Sequence, residues 1–207
     1  MKLIKYTLFA LSLFSMHTIV SAETFTINGD NVIVPNPTGY VAADDSMPNV
    51  QRIVQSMVDP MNDTLAYYVS EQDAELARAG EMPNLENTFM LKLNKQLKGK
   101  TVSIRDFAML SKEIKNQNQQ IFEKIQQMMP DIMDQTSQNM SDEFDFKMAL
   151  YVGQMVPLDP HVVDENAFAY SMMINYGVEA AGSSEELIVA ATATILNVSG
   201  HLLFLYS

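Results

Sequence analysis

Asp159, His161, Asp164 and Glu165 stand within seven positions of one another, in the segment Leu158 to Asn166. An imidazole among carboxylates is a donor set for a divalent cation. The spacing matches no closed zinc pattern, and in a chain carrying 25 acidic residues the same cluster also reads as a solvated connection between two strands, which is the preferred reading. The methionines offer a second kind of chemistry. The chain has sixteen and no cysteine, and Met128, Met129, Met133, Met140, Met148 and Met155 lie near one another in sequence. Thioethers are soft ligands suited to Cu(I), and Met129 and Met133 are one helical turn apart. Methionine also fills irregular cores, and most of these positions fall on stripes needed for packing, so core filling is preferred over ligation. Nucleophilic catalysis has few candidates: there is no G-x-S-x-G motif, and the bases on offer are His161 and His201. Asp142, Glu143 and Asp145 form an acidic group, but carboxylates that act as acid and base need apolar pockets, and these sit in a polar stretch.

The chain opens with Lys2 and Lys5, an apolar run from Tyr6 to Phe14 that fades towards Val20, and the small residues Ser21 and Ala22. That pattern predicts a signal peptide over Met1–Ala22, cut after Ala22, and a periplasmic or secreted mature chain. Removing it leaves 11 basic against 25 acidic residues. Such a balance argues against nucleic acid and anionic membrane surfaces as partners. Without cysteine there is no disulfide framework, so stability must come from a core; a chain of this size can bury about 70% of its unfolded surface in one domain. The sequence predicts a single domain over residues 23–207.

The elements that must position these residues are legible from periodicity. Between Thr101 and Met129, apolar residues at Phe107, Leu110, Ile114, Ile121, Ile125 and Met128 define one helix face, with Asn118 the single position out of series. Ser103 with Asp106 three residues on marks the start, and Pro130 predicts a stop or kink. A shorter amphipathic helix is predicted over 47–58, with Pro48 in its first turn. Phe25 to Val34 reads as a hairpin around Asn28-Gly29. Leu65 to Val69, Thr88 to Leu93, Phe146 to Leu158, Ala167 to Tyr176, Leu187 to Val198 and His201 to Tyr206 read as strands, with a turn over Gly177 to Ser184 and one helical turn in the Ala-rich stretch after Glu71. Asp131 to Glu143 reads as a polar loop or short helix. Ile188 to Ser207 has the length of a membrane span, but Asn197, Ser199, Gly200 and His201 place a turn inside it, so no transmembrane segment is expected in the mature chain. The last strand is expected either to lie inside the sheet or to be followed by further chain.

Together these predict an α+β domain, an antiparallel β-sheet with a long amphipathic helix (about 103–129) and a shorter helix (about 47–58) packed on it. The motif Phe25-x-Ile27 followed by Val32-Ile33-Val34-Pro35-x-Pro37-x-Gly39-Tyr40, the helix opening Ser103-Ile104-Arg105-Asp106-Phe107 and the terminal antiparallel run resemble the Mog1/PsbP-like α/β/α sandwich. The resemblance spans most of residues 23–207 and implies a non-enzymatic binding or assembly accessory; it assigns no site residue and no cofactor. The leading expectation is therefore an exported module that presents a sheet face or the 131–143 loop to another exported protein. A metal-handling protein using the methionines or the His161 cluster comes second, and an exported hydrolase last.

Overall fold

A computed structural model describes residues 21–207 except 181. The export signal read over Met1–Ala22 lies outside the described residues apart from Ser21 and Ala22. The chain runs through β1 (Ala22–Ile27), β2 (Asp30–Pro35), β3 (Tyr40–Ala42), α1 (Pro48–Ser56), β4 (Asn62–Ser70), α2 (Glu71–Arg78) and β5 (Thr88–Asn94). It continues through α3 (Ile104–Asn116), α4 (Asn118–Phe144), β6 (Met148–Pro157), β7 (Val162–Val163), β8 (Ala167–Ala180), β9 (Ser183–Val198) and β10 (His201–Tyr206). This is the α+β arrangement that periodicity predicts, with helices on a large antiparallel sheet. Its strand order is β3-β4-β5-β10-β9-β8-β6, with β7 paired to β8, and β1 and β2 form a separate hairpin. The last strand is internal, between β5 and β9.

Side-chain alternation on the strands decides what each sheet face carries. On β4, Tyr68 turns to one side and packs with Leu91, Leu93 and Leu203 against Ile27, Val32 and Val34 of the β1–β2 hairpin. Its neighbours Tyr67 and Val69 turn to the other side and pack with Met47 and Val50, and with Ala74 and Ala77 of α2. The hairpin turn uses Asn28 and Gly29 at φ 52° and 92°, the left-handed conformation that Asn tolerates and Gly adopts freely. The helices share the second face. Ser103 caps α3 by accepting from the Asp106 N–H, and Phe107, fully buried, packs on Phe168, Ile195 and Leu202. Phe122 of α4 covers Met172 and Ile174 of β8.

Several elements differ from the sequence expectation, each for a packing reason. The long helix breaks at Gln117 (φ −104°, ψ 12°), beside the position where the apolar series lapses, and then runs unbroken through Pro130 to Phe144. Pro130 removes one intrahelical hydrogen bond, but it is exposed, and the part-buried stripe of Ile125, Met129, Ile132 and Met133 spans it on the packed side. The stretch 131–143 is therefore helix and not a loop. Its small polar residues are contact residues: the Ser137 hydroxyl accepts from Leu150 N–H at 2.8 Å, and the Ser141 hydroxyl accepts from Met148 N–H at 3.0 Å. α2 makes two turns where one was expected, opened by Ser70, whose hydroxyl accepts from Asp73 N–H. α1 is shorter than 47–58 and has no side-chain cap; Pro48 opens it.

The turn predicted over Gly177 to Ser184 is confined to its far part. β8 continues to Ala180 and β9 starts at Ser183, in unbroken register from Ala167–Leu196 to Ala180–Ser183. Gly177 is a strand residue, paired with Tyr151 of β6 and Glu186 of β9, and the Tyr151 ring lies across it; a Cβ there would sit 1.8 Å from that ring. No helix among the described residues is long and apolar enough to cross a membrane, and the apolar run 188–207 is a hairpin turned at Ser199-Gly200.

Candidate functional site

The structure places Asp159, His161, Asp164 and Glu165 on the exposed connection from β6 through β7 to β8. Of the four side chains, that of Asp164 is hydrogen-bonded within the connection, and the backbone of His161 is tied to β8. His161 N–H donates to Ala169 O at 2.9 Å, and the Asp164 carboxylate accepts from the N–H groups of Asn166 and Ala167 at 2.9 and 2.6 Å, closing the turn into β8. Among the described residues no three His, Cys, Asp or Glu side chains converge as a metal-holding group. Met129 and Met133 lie half-buried on the packed stripe of α4, and Met155 and Met172 lie under Phe122.

His201 is brought together with a carboxylate, although for fastening. It is 2% exposed, and its Nε2 lies 3.1 Å from Asp30 Oδ2, joining β10 to the turn end of the β1–β2 hairpin. Glu143 is drawn into an exposed ion pair with Arg52, whose guanidinium also lies 4.7 Å from the centre of the Phe144 ring, tying α1 to the end of α4. Asn139 donates to Ser56 O, and Thr136 accepts from Val58 N–H, so the second half of α4 is anchored on the α1 side as well as on β6. Asp142 lines a shallow cleft of about 730 Å³ together with Ser141, Lys147, Glu179 and Ser184, between the end of α4 and the tip of the β8–β9 ribbon. That cleft mixes one ammonium with two carboxylates and contains no imidazole.

The feature that sequence reasoning missed is the other face of this ribbon. The β1–β2 hairpin packs over β4, β5 and β10, and among the described residues no element covers the corresponding face of β6, β8 and the first half of β9. Cross-strand pairing puts Tyr151 beside Gly177 and Glu186, and Val156 beside Met173 and Ala190. Tyr151 is 37%, Val156 43% and Ile188 75% exposed. Thr192, Thr194 and Asn175 share this face, and Glu179 and Glu186 stand towards its tip. Strand alternation in residues 149–156 and 184–194 carries the information, but which face stays open depends on where β1 and β2 fold back. No family model, no curated protein and no solved structure matches the chain.

Proposed function

We propose that the chain is a non-enzymatic binding or assembly module of an exported compartment, and that it meets another exported protein on the open face of β6, β8 and β9. The observation that carries this reading is Tyr151, laid flat across Gly177 in the middle of a sheet face that no other described residues cover, with Val156 and Ile188 exposed nearby. An aromatic centre in a mixed apolar and hydroxyl-bearing surface has the composition of a protein-binding patch, where aromatic residues act as anchors and polar residues form the rim. The two rim carboxylates, Glu179 and Glu186, favour a partner with basic groups opposite them. The element order that resembles Mog1/PsbP-like sandwiches supports the same reading at the level of fold, and the amino-terminal pattern of Met1–Ala22 supports export.

The test is capture from the exported protein fraction of the producing cell with the mature chain as bait. A specific partner is expected to be held by the wild type and by a variant altered far from the face, such as Lys112→Ala, and released by Tyr151→Lys. If Tyr151→Lys and Val156→Lys variants that keep the wild-type circular dichroism retain the same partner, the face is not the binding site.

A further inference from the structure

Tyr151, Gly177 and Glu186 form one row across β6, β8 and β9, Tyr151 pairing with Gly177 and Gly177 with Glu186. Neighbouring strands stand about 4.8 Å apart, so each position in the row is the nearest same-face neighbour of the next. The row is fixed by the pairing of these three strands with one another, whatever stands on the outer side of β9. Three atoms at the phenol end of the Tyr151 ring, Cζ, Cε2 and Cε1, lie 1.8, 2.0 and 2.4 Å from the point that a Gly177 Cβ would occupy. The ring therefore leaves β6, crosses above β8 and reaches towards the Glu186 position on β9. Its inner face rests on the sheet, where it buries Gly177, while Tyr151 as a whole stays exposed. Glycine inside a strand marks a close approach, and any side chain at 177 would lift the ring and tilt its face.

Charged and polar groups frame the ring. Glu179 stands two residues along β8 from Gly177, about 7 Å away on the same face. Asn175 stands at the same spacing on the other side, with its side chain beside Gly153. The ring is thus flanked by one carboxylate on β9, a second on β8 and an amide on β8. The ion pairs among the described residues are those of Arg52, Lys92, Lys98 and His201, and none involves Glu179 or Glu186. The face of an aromatic ring is negative and attracts a cation placed within about 6 Å of its centre. A cation over Tyr151 is also within reach of both carboxylates, so ring, Glu179 and Glu186 act on one position with the same sign.

Lysine and arginine use such a position differently. An ammonium is a compact, strongly hydrated point charge whose donors diverge. A guanidinium is planar: stacked flat on the ring, it keeps its N–H groups in its own plane, aimed sideways at the carboxylates on β8 and β9. A neutral apolar side chain would cover the ring and leave the two carboxylates partly desolvated without a counter-charge. We propose, on the reading of this face as a protein-binding surface, that the partner presents an arginine whose guanidinium stacks on Tyr151 and is held at its sides by Glu186 and Glu179.

The probe is Nα-acetyl-arginine methylamide, titrated into the isotopically labelled mature chain and followed through its amide NMR signals. Saturating shifts are expected at Gly177, Glu179 and Glu186, with a dissociation constant on the order of 10 mM, as suits a single side chain. The lysine analogue should bind at least about threefold more weakly, and the planar but uncharged citrulline analogue should give no saturating shift. Glu186→Gln should weaken the arginine probe at least about threefold, and Tyr151→Leu, which keeps an apolar side chain but removes the aromatic face, at least as much. Glu186 is exposed, so its variant reads the site even where Tyr151→Leu disturbs the sheet. No saturating shift with arginine, equal affinity for lysine, or an affinity unchanged by Glu186→Gln overturns the proposal. The captured protein separates the two readings. A partner retained by Tyr151→Lys overturns the protein-binding face and the arginine with it; a partner released by Tyr151→Lys yet held equally by the wild type and Glu186→Gln overturns the arginine alone.

Discussion

Ser137 and Leu150 are joined by a 2.8 Å hydrogen bond in which a helix hydroxyl accepts the N–H of a sheet-edge strand. The same hydroxyl donates to Met133 O at 2.6 Å, one turn back along α4. One side chain thus satisfies the edge of β6 while staying inside the helix that covers it; Ser141 instead serves Met148 twice, accepting its N–H and donating to its carbonyl oxygen. Leaving a buried N–H without an acceptor costs about 1–3 kcal/mol. Ser137→Ala is therefore expected to lower unfolding free energy by that amount in urea, with the m-value unchanged. A loss below about 0.3 kcal/mol would mean that water or a shifted α4 replaces the hydroxyl.

Gly177→Ala tests the packing of Tyr151. The added Cβ would lie 1.8 Å from the ring, so the ring must leave the sheet surface. The expected result is a loss of about 1–3 kcal/mol, the cost of overpacking. Truncating the ring removes the obstacle, so Tyr151→Ala combined with Gly177→Ala should cost less than the sum of the two single changes. A double-mutant cycle with no coupling would show that the ring does not rest on Gly177.

How much of this was legible beforehand depends on the range of the interaction involved. The Asn28-Gly29 hairpin, the Ser103 cap with Asp106, the strand runs and the α+β class follow from local chemistry, and the structure has all of them. The passage of α4 through Pro130 was not legible, because what holds the helix is its contact with β6, β8 and α1, and local propensity points the other way. The roles of Ser137 and Ser141, in a stretch that reads as a polar loop or short helix, were hidden for the same reason: their partners Leu150 and Met148 are set by topology. Asp159, His161, Asp164 and Glu165 lie on one connection, and Asp164 uses its carboxylate to accept from backbone N–H groups, a use that a list of donor types does not reveal. The placing of β10 between β5 and β9 was not legible either, because strand order is the part of the fold that periodicity leaves open.

Tyr68 provides a prediction at high pH. It is buried at the hairpin–sheet interface, and its hydroxyl has no hydrogen-bond partner among the described residues. Burial, with a contribution from the Glu23 carboxylate, pushes its pKa up to about 12 from the ordinary 10. The unfolded chain gives up this proton first, so stability falls as pH rises from about 10 towards about 12. Tyr68→Phe should leave neutral-pH stability unchanged or raise it by up to about 1 kcal/mol, since it removes an unpaired polar group, and should flatten the alkaline decline. A marked loss of stability at pH 7 would mean that the hydroxyl has a partner, such as a bound water.

Asp59 governs the acid side. Burial raises its pKa, but that is outweighed by hydrogen bonds from Lys92 and Asn62, the charge of Lys92 and the Met61 N–H, and the carboxyl is held below its ordinary 3.8. The Lys92 ammonium lies 2.6 Å away with 12% of its side chain exposed, so the pair is better shielded than Arg52–Glu143 at the surface. A group whose pKa is depressed by folding contributes stability that is complete above its unfolded value and is lost as pH falls through the folded value. The contribution should therefore be intact at pH 5 and above and decline below about pH 4. Asp59→Asn is expected to cost on the order of 2 kcal/mol at pH 7, where it leaves Lys92 without its counter-charge, and progressively less as the pH is lowered. Asp44, held low by Ser46, remains in that variant and keeps part of the acid slope. Thermal melts of the two proteins from pH 7 to pH 2 should converge; parallel curves would show that Asp59 does not titrate with folding.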